Sequence, residues 1–166
     1  MNQVVIVDAD DQETGLKPYD GIRYEDIYRV TALWLSDTTS GDCLITQRKW
    51  TKHNDPGKWM AAASGTVEEG EDYDQNIVQE IEEEIGLRSL ELVKGPKEFI
   101  DDCKHKFFVQ WYRAEVDRSS VVITLQEDEV EAYEWVSRKT LIEDVLKHPE
   151  KYVPSMRSSM EKLRLM

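Results

Sequence analysis

The segment QEIEEEIGL, residues 79–87, limits the fold more than any other part of the chain. Together with the residues before it, it carries helical spacing over about residues 72–85. Asp72 followed three residues later by Gln75 is an N-capping pair, and Gly86 suits the left-handed residue that ends a helix. At about 100° per residue, Ile77, Val78, Ile81 and Ile85 share one arc, the stripe expected to be buried. Glu80, Glu83 and Glu84 share a second arc beside the first, not opposite it. Like charges three and four apart on a helix repel by roughly 0.2–0.5 kcal/mol per pair. Such a ridge is either a solvated face or a seat for something positive. Carboxylates at i, i+3 and i+4 can converge on Mg²⁺ or Mn²⁺, which take hard oxygen donors.

The net charge of −13 sharpens that choice. It argues against broad binding to a nucleic acid polymer or an anionic membrane, both of which need a basic face. An acidic protein holds a polyphosphate only through divalent cations or a local basic patch. Here Arg48, Lys49, Lys52 and Lys58 fall close together, interleaved with Trp50, His53 and Trp59. Arg48 and Lys52 are candidates for gripping phosphate, and Trp50 for lying against a ring or prenyl-like group. His53 is a weak candidate base. No run approaches the ~20 apolar residues of a membrane span, and MNQVVIVDADDQ does not read as a signal peptide. Cys43 and Cys103 form neither a disulfide framework nor a metal knuckle, so a cytoplasmic location is expected.

At 166 residues the chain suits one domain spanning 1–166. Residues 3–8 and 14–18 read as a hairpin, 28–36 as a central strand, and 43–48 as the strand after a Gly-Asp turn. KWMAAAS reads as a short extended piece, 98–102 and 104–116 as a strand pair, and 131–137 as a further strand. Residues 138–148 have helical spacing, and the tail from Pro154 suits an amphipathic helix. Strands and helices mix without strict alternation, which predicts an α/β fold with a mixed sheet and helices packed on it. Phe107, Phe108, Trp111 and Tyr112 read as core and sheet faces in preference to substrate contacts.

The spacing around the acidic helix resembles the signature of the Nudix (MutT-like) hydrolases. Gly65 is followed by TVEEG and Glu71, then DYDQNIV, then QEIEEEIGL, so the signature spans 65–87. One fixed position departs: Gln79 stands where the family has Arg, which there braces the signature glutamates. Further stretches, RYEDIYRVTALWL, LITQRKWTKHNDPGKWMAAASGTVEEGE and LQEDEVEAYEWVSRKTL, are similar to the branch containing isopentenyl-diphosphate isomerases and their hydrolase relatives. The resemblance implies an α/β/α sandwich and hydrolysis of a diphosphate linkage in a nucleoside diphosphate joined to another group. It implies Mg²⁺ or Mn²⁺ held by Glu80, Glu83, Glu84 and the Ser64 carbonyl, with Glu80 or Glu83 also serving as general base. Glu129, six residues before Trp135, is the candidate for a further ligand, with Glu127 and Asp128 as alternatives. The partner implied is a small diphosphate or nucleotide, and many relatives form homodimers. Isomerase chemistry is disfavoured: Ala63 stands where the isomerases carry a cysteine, and their later Glu-x-Glu has no counterpart in CKHKFF. The loss of the bracing Arg also leaves room for a non-catalytic nucleotide sensor.

Overall fold

The computed structural model describes residues 2–166. Among the described residues, nine strands and three α-helices alternate irregularly. The organising element is β3 (Ile27–Asp37), a β-branched and aromatic run as the sequence predicts. One edge of β3 pairs along its whole length, in parallel, with β8 (Lys106–Val116). Its other edge is shared in succession by β1 (Gln3–Val7), β6 (Ala63–Thr66) and β4 (Cys43–Arg48), all antiparallel. β2 (Glu13–Pro18) closes the expected hairpin on β1, β5 (Trp59–Met60) and β9 (Val130–Val136) flank β4, and β7 (Val93–Asp101) lies along β8. One parallel pairing among antiparallel ones makes the sheet mixed, as expected.

Alternation along β3 sends its side chains to two cores. Leu33 and Leu35 face α1 (Tyr73–Ile85), packing with Ile77, Ile81 and Ile85. Ala32 and Trp34 face the opposite layer, where Leu141 and Val145 of α2 (Arg138–Lys147) and Met156 and Met160 of α3 (Met156–Lys162) complete the core. The sheet therefore lies between helices, the expected α/β/α sandwich. The tail helix is shorter than the sequence suggests, and β7 begins five residues before the expected 98. Both cysteines are free, Cys43 buried and Cys103 exposed. No helix among the described residues is long and apolar enough to cross a membrane.

The helix α1 starts and stops as its sequence predicts. The Asp72 carboxylate accepts from the Gln75 N–H while the Gln75 side chain accepts from the Asp72 N–H, and Gly86 closes the helix at φ 71°. The expected buried stripe needs one correction: Val78 is 55% exposed. The face that meets the sheet is rotated towards the carboxylates, so Asn76 and Glu84 are buried while Val78 sits beyond the far edge of the contact.

Hairpin, sheet and helix are tied together at one polar knot. Asp11, at φ 59° in the β1–β2 turn, accepts from Arg29 Nε (2.7 Å), Tyr73 Oη (3.0 Å) and Lys97 Nζ (2.5 Å). Arg29 also donates to the Asp11 carbonyl (2.7 Å), and both cations lie against the Tyr73 ring. Burial alone would raise the Asp11 carboxyl, yet these hydrogen bonds and the Arg29 charge hold it below the usual carboxylate range.

Candidate active site

Where β6 leaves the sheet, α1 comes close enough that only glycine fits between them. A β-carbon on Gly65 would lie 2.1 Å from the Glu80 carboxyl, which explains the glycine before the helix better than any turn does. One residue earlier, the Ser64 N–H donates to Glu84 Oε2 (2.9 Å). The strand and the acidic ridge thus form one wall of a cavity of about 420 Å³, within the usual size of a small-ligand site.

Ser64, Glu80, Glu83 and Glu84 all line this cavity. Glu129 joins them from a loop docked on the end of α1: the Thr124 N–H donates to the Ile85 carbonyl (3.0 Å) and the Gln126 N–H to the Glu84 carbonyl (3.2 Å). Glu127 and Asp128, the alternatives to Glu129, are exposed and lie off the cavity. Arg48 and Lys52 line it too; Arg48 Nε donates to the Asn54 carbonyl (2.9 Å), and Lys52 pairs with Glu129. The expectation for Trp50 is overturned. Trp50 is 65% exposed and packs over Gly57, where even a β-carbon would collide with its ring, and it does not reach the cavity. His53 is exposed and likewise off the cavity.

The electrostatics show a wall short of positive charge. Glu80 is raised to about 8, first by burial and then by the repulsion of Glu84, Glu83, Glu71 and Glu68. Glu84 is also raised to about 8, chiefly by burial, with the Glu129 charge adding to it; the Ser64 N–H, Arg48 and Lys52 act in the opposite sense. Among the described residues, no three Asp, Glu, His or Cys side chains are drawn together as a ready-made cage. The donor set nonetheless fits a divalent cation: oxygen atoms only, crowded, and carrying more negative charge than the protein itself offsets.

Sequence reasoning missed Asn76. It is 1% exposed and sits behind the ridge. Its amide donates to the Thr66 carbonyl (3.1 Å) and to Glu71 Oε2 (3.0 Å), lies 3.5 Å from Glu80 Oε1, and its oxygen accepts from the Thr31 hydroxyl (2.5 Å). Gln79, in the place of the family's Arg, instead reaches outward to Glu83 Oε1 (3.0 Å) on the exposed side. Glu71 is therefore fixed by a neutral amide and by the Glu68 N–H (3.0 Å). A buried polar residue within an otherwise apolar seam was the available signal.

Comparisons with known proteins agree with this geometry. A Nudix hydrolase of Pseudomonas aeruginosa is 26% identical over 159 residues, covering 96% of this chain and 89% of that protein. An isopentenyl-diphosphate Δ-isomerase of Roseobacter denitrificans is 31% identical over 120 residues, 69% of this chain and 67% of the isomerase. The crystal structure of DR0079 from Deinococcus radiodurans superposes with a TM-score of 0.82 at 16% identity, covering 97% of this chain and 98% of that one, a likeness of fold. The NUDIX domain family model matches residues 26–163, and with the signature glutamates gathered on one cavity wall, the chain belongs to the Nudix family.

Proposed function

We propose that this Nudix protein is a Mg²⁺-dependent hydrolase of a diphosphate linkage, in a nucleoside diphosphate joined to a second group or in a related diphosphate. One observation carries the reading. Four carboxylates and Ser64 share a cavity wall with Arg48 and Lys52, and two of those carboxyls are raised to about 8 by burial and mutual repulsion. Ser64 (through its carbonyl), Glu80, Glu83, Glu84 and Glu129 would hold the ion, with Mn²⁺ as the alternative. Bound there, it would neutralise phosphate oxygens and activate water.

The side chains supply the rest. Glu80 or Glu83 accepts the proton of the attacking water, both lying on the cavity wall. Arg48 brings a guanidinium to the same cavity to orient phosphate, and Lys52 can exchange Glu129 for substrate. The isomerase alternative lacks its cysteine: Ala61, Ala62 and Ala63 fill that stretch, all buried. Incubation with Mg²⁺ and a panel of nucleoside triphosphates, ADP-ribose, dinucleoside polyphosphates and prenyl diphosphates tests the reading. Ligand-induced melting shifts with no phosphate or nucleotide released from any member would count against it and favour a sensor.

Two variants address the bracing of the ridge. Gln79→Arg places a permanent charge beside Glu83 and is expected to raise kcat, by roughly tenfold at most. An unchanged or lower kcat at saturating Mg²⁺ would show that Gln79 leaves no deficit. Asn76→Ala removes the amide that fixes Glu71, and kcat should fall by about 10–100-fold with little change in KM. Adding Gln79→Arg to Asn76→Ala should recover part of that loss, an outcome that mere destabilisation would not produce.

A further inference from the structure

The carboxylates of the cavity wall are not all answered alike. Glu83 accepts from the Gln79 amide (3.0 Å), Glu84 accepts from the Ser64 N–H (2.9 Å), and the Asn76 amide lies 3.5 Å from Glu80. These three meet neutral donors. Glu129 instead meets a full positive charge, the Lys52 ammonium. Both residues line the cavity, and their side chains are 29% and 35% exposed, so the pair is open enough to exchange partners. The Lys52 charge also reaches Glu84, where it acts against the upward push of burial and of Glu129. A lysine therefore sits at the edge of the donor set, on an oxygen for which a divalent cation would compete.

The loop that carries Lys52 is fixed independently of this contact. The Lys49 N–H donates to the Glu129 carbonyl (2.9 Å), and Lys49 Nζ lies 3.3 Å from Glu131 Oε2. Within the loop, the Lys52 N–H donates to the Lys49 carbonyl (3.1 Å), Arg48 Nε to the Asn54 carbonyl (2.9 Å) and Gln47 Nε2 to the Gly57 carbonyl (2.9 Å). Losing Glu129 would thus free the ammonium and leave the backbone beneath it in place. The lysine stem is flexible and its ammonium donates in three directions, which suits a group that serves two acceptors in turn. An ion pair this exposed is weak, a factor of about five at most, so a doubly charged competitor displaces it.

We propose that Lys52 is a positioning residue that reserves Glu129 in the metal-free protein and turns to the diphosphate once a divalent cation has taken Glu129. The consequence is an order of binding, metal before diphosphate. This inference rests on the Mg²⁺-dependent hydrolase reading and adds the coupling between its two ligands. While Lys52 is paired, an incoming diphosphate meets a wall of carboxylates with Lys52 already engaged. After the exchange, Lys52 and Arg48 face the phosphates together from the same cavity. A diphosphate that draws Lys52 away likewise leaves Glu129 to the cation, because coupling between two ligands is reciprocal.

The test uses the full chain and Mn²⁺, whose free signal in electron paramagnetic resonance reports binding without turnover. Methylenediphosphonate serves as the non-cleavable diphosphate. Lys52→Met is compared with Lys49→Met, which removes the same charge from a lysine off the cavity. Lys52→Met should bind Mn²⁺ about three- to fivefold more tightly than wild type. Once loaded with Mn²⁺, it should bind methylenediphosphonate about tenfold more weakly. A loss of structure would not move the two affinities in opposite directions. Lys49→Met should leave both within about twofold of wild type, its charge being screened from the site. In a Glu129→Gln background, Lys52→Met should bring no gain in Mn²⁺ affinity. An Mn²⁺ affinity unchanged or weakened in Lys52→Met, an equal gain in Lys49→Met, or a gain that persists beside Glu129→Gln overturns the proposal. Unchanged methylenediphosphonate affinity in Lys52→Met overturns it too. Should Lys52→Met fail to fold, Lys52→Gln carries the same comparison. Mn²⁺ bound by neither wild type nor any variant would remove the metal site, and the hydrolase reading with it. Absence of hydrolysis across the substrate panel, with the exchange seen as expected, would remove the reaction and keep the role of Lys52.

Discussion

Glu84→Gln is expected to lower the rate of diphosphate hydrolysis by about 10²–10⁴-fold, the range of a positioned group acting at the reacting centre. The substitution is nearly isosteric, and the amide oxygen can still accept from the Ser64 N–H that holds the wild-type carboxylate at 2.9 Å. Glu84 is buried and raised to about 8, so near pH 7 it is mostly uncharged in the metal-free protein, and its neutral isostere should melt no lower than wild type. Loss of activity with an intact fold therefore isolates the charge. A second measurement follows from linkage. Mg²⁺ at 100 times its Kd stabilises the native state by about 2.7 kcal/mol. For a chain of this length that is a rise in Tm of roughly 5–10 °C. Glu84→Gln should abolish most of that rise. A variant that keeps both the wild-type rate and the Mg²⁺-dependent Tm would remove Glu84 from the ligand set.

Asp11→Asn should produce the largest loss of stability, about 3 kcal/mol. This is the low end of the range for breaking a buried ion pair, because Lys97 is 42% exposed and rehydrates. The corresponding drop in Tm is roughly 6–12 °C. Asparagine tolerates the left-handed backbone at φ 59° as well as aspartate does, so the change reports the charge and not the turn. The pH dependence has a definite sign. The folded carboxyl lies below its ordinary value of 3.8, so the native state binds this proton more weakly than the unfolded chain. Its contribution is present above about pH 4 and is lost as pH falls through the folded value. Wild type and Asp11→Asn should converge in stability in strong acid and diverge towards neutrality. Parallel Tm curves across that window would mean that the carboxylate is not what holds the knot.

Much of this could be read from residue spacing because the relevant signals are local. The Asp72–Gln75 cap, the Gly86 stop and the Glu80–Glu83–Glu84 ridge all lie within one helix, where position alone sets the neighbours. Glu129 is a candidate by its distance from Trp135, and the structure places it on the same cavity as the ridge. The failures share one cause. Val78, Trp50 and Asn76 depend on how an element is rotated or docked against distant sequence. Val78 is exposed because α1 turns its glutamates towards the sheet; Trp50 prefers the bare surface of Gly57; Asn76 is buried because Thr31 and Thr66 offer it partners. An eleven-residue basic loop looks like a clamp on paper, but of its basic and aromatic residues Arg48 and Lys52 reach the cavity, beside Asn54 and Asp55, while Lys49, Trp50, His53 and Lys58 do not.

The place of β3 has a consequence for how such a protein is made. A chain emerging through Leu87 already holds every signature residue, yet the floor on which they act needs β8, which begins at Lys106. Parallel strands joined over that distance close late, since a long loop must be ordered before any contact rewards it. During synthesis the acidic ridge is thus complete in sequence before its chamber can close, and a reaction that needs both would have to wait for the sheet.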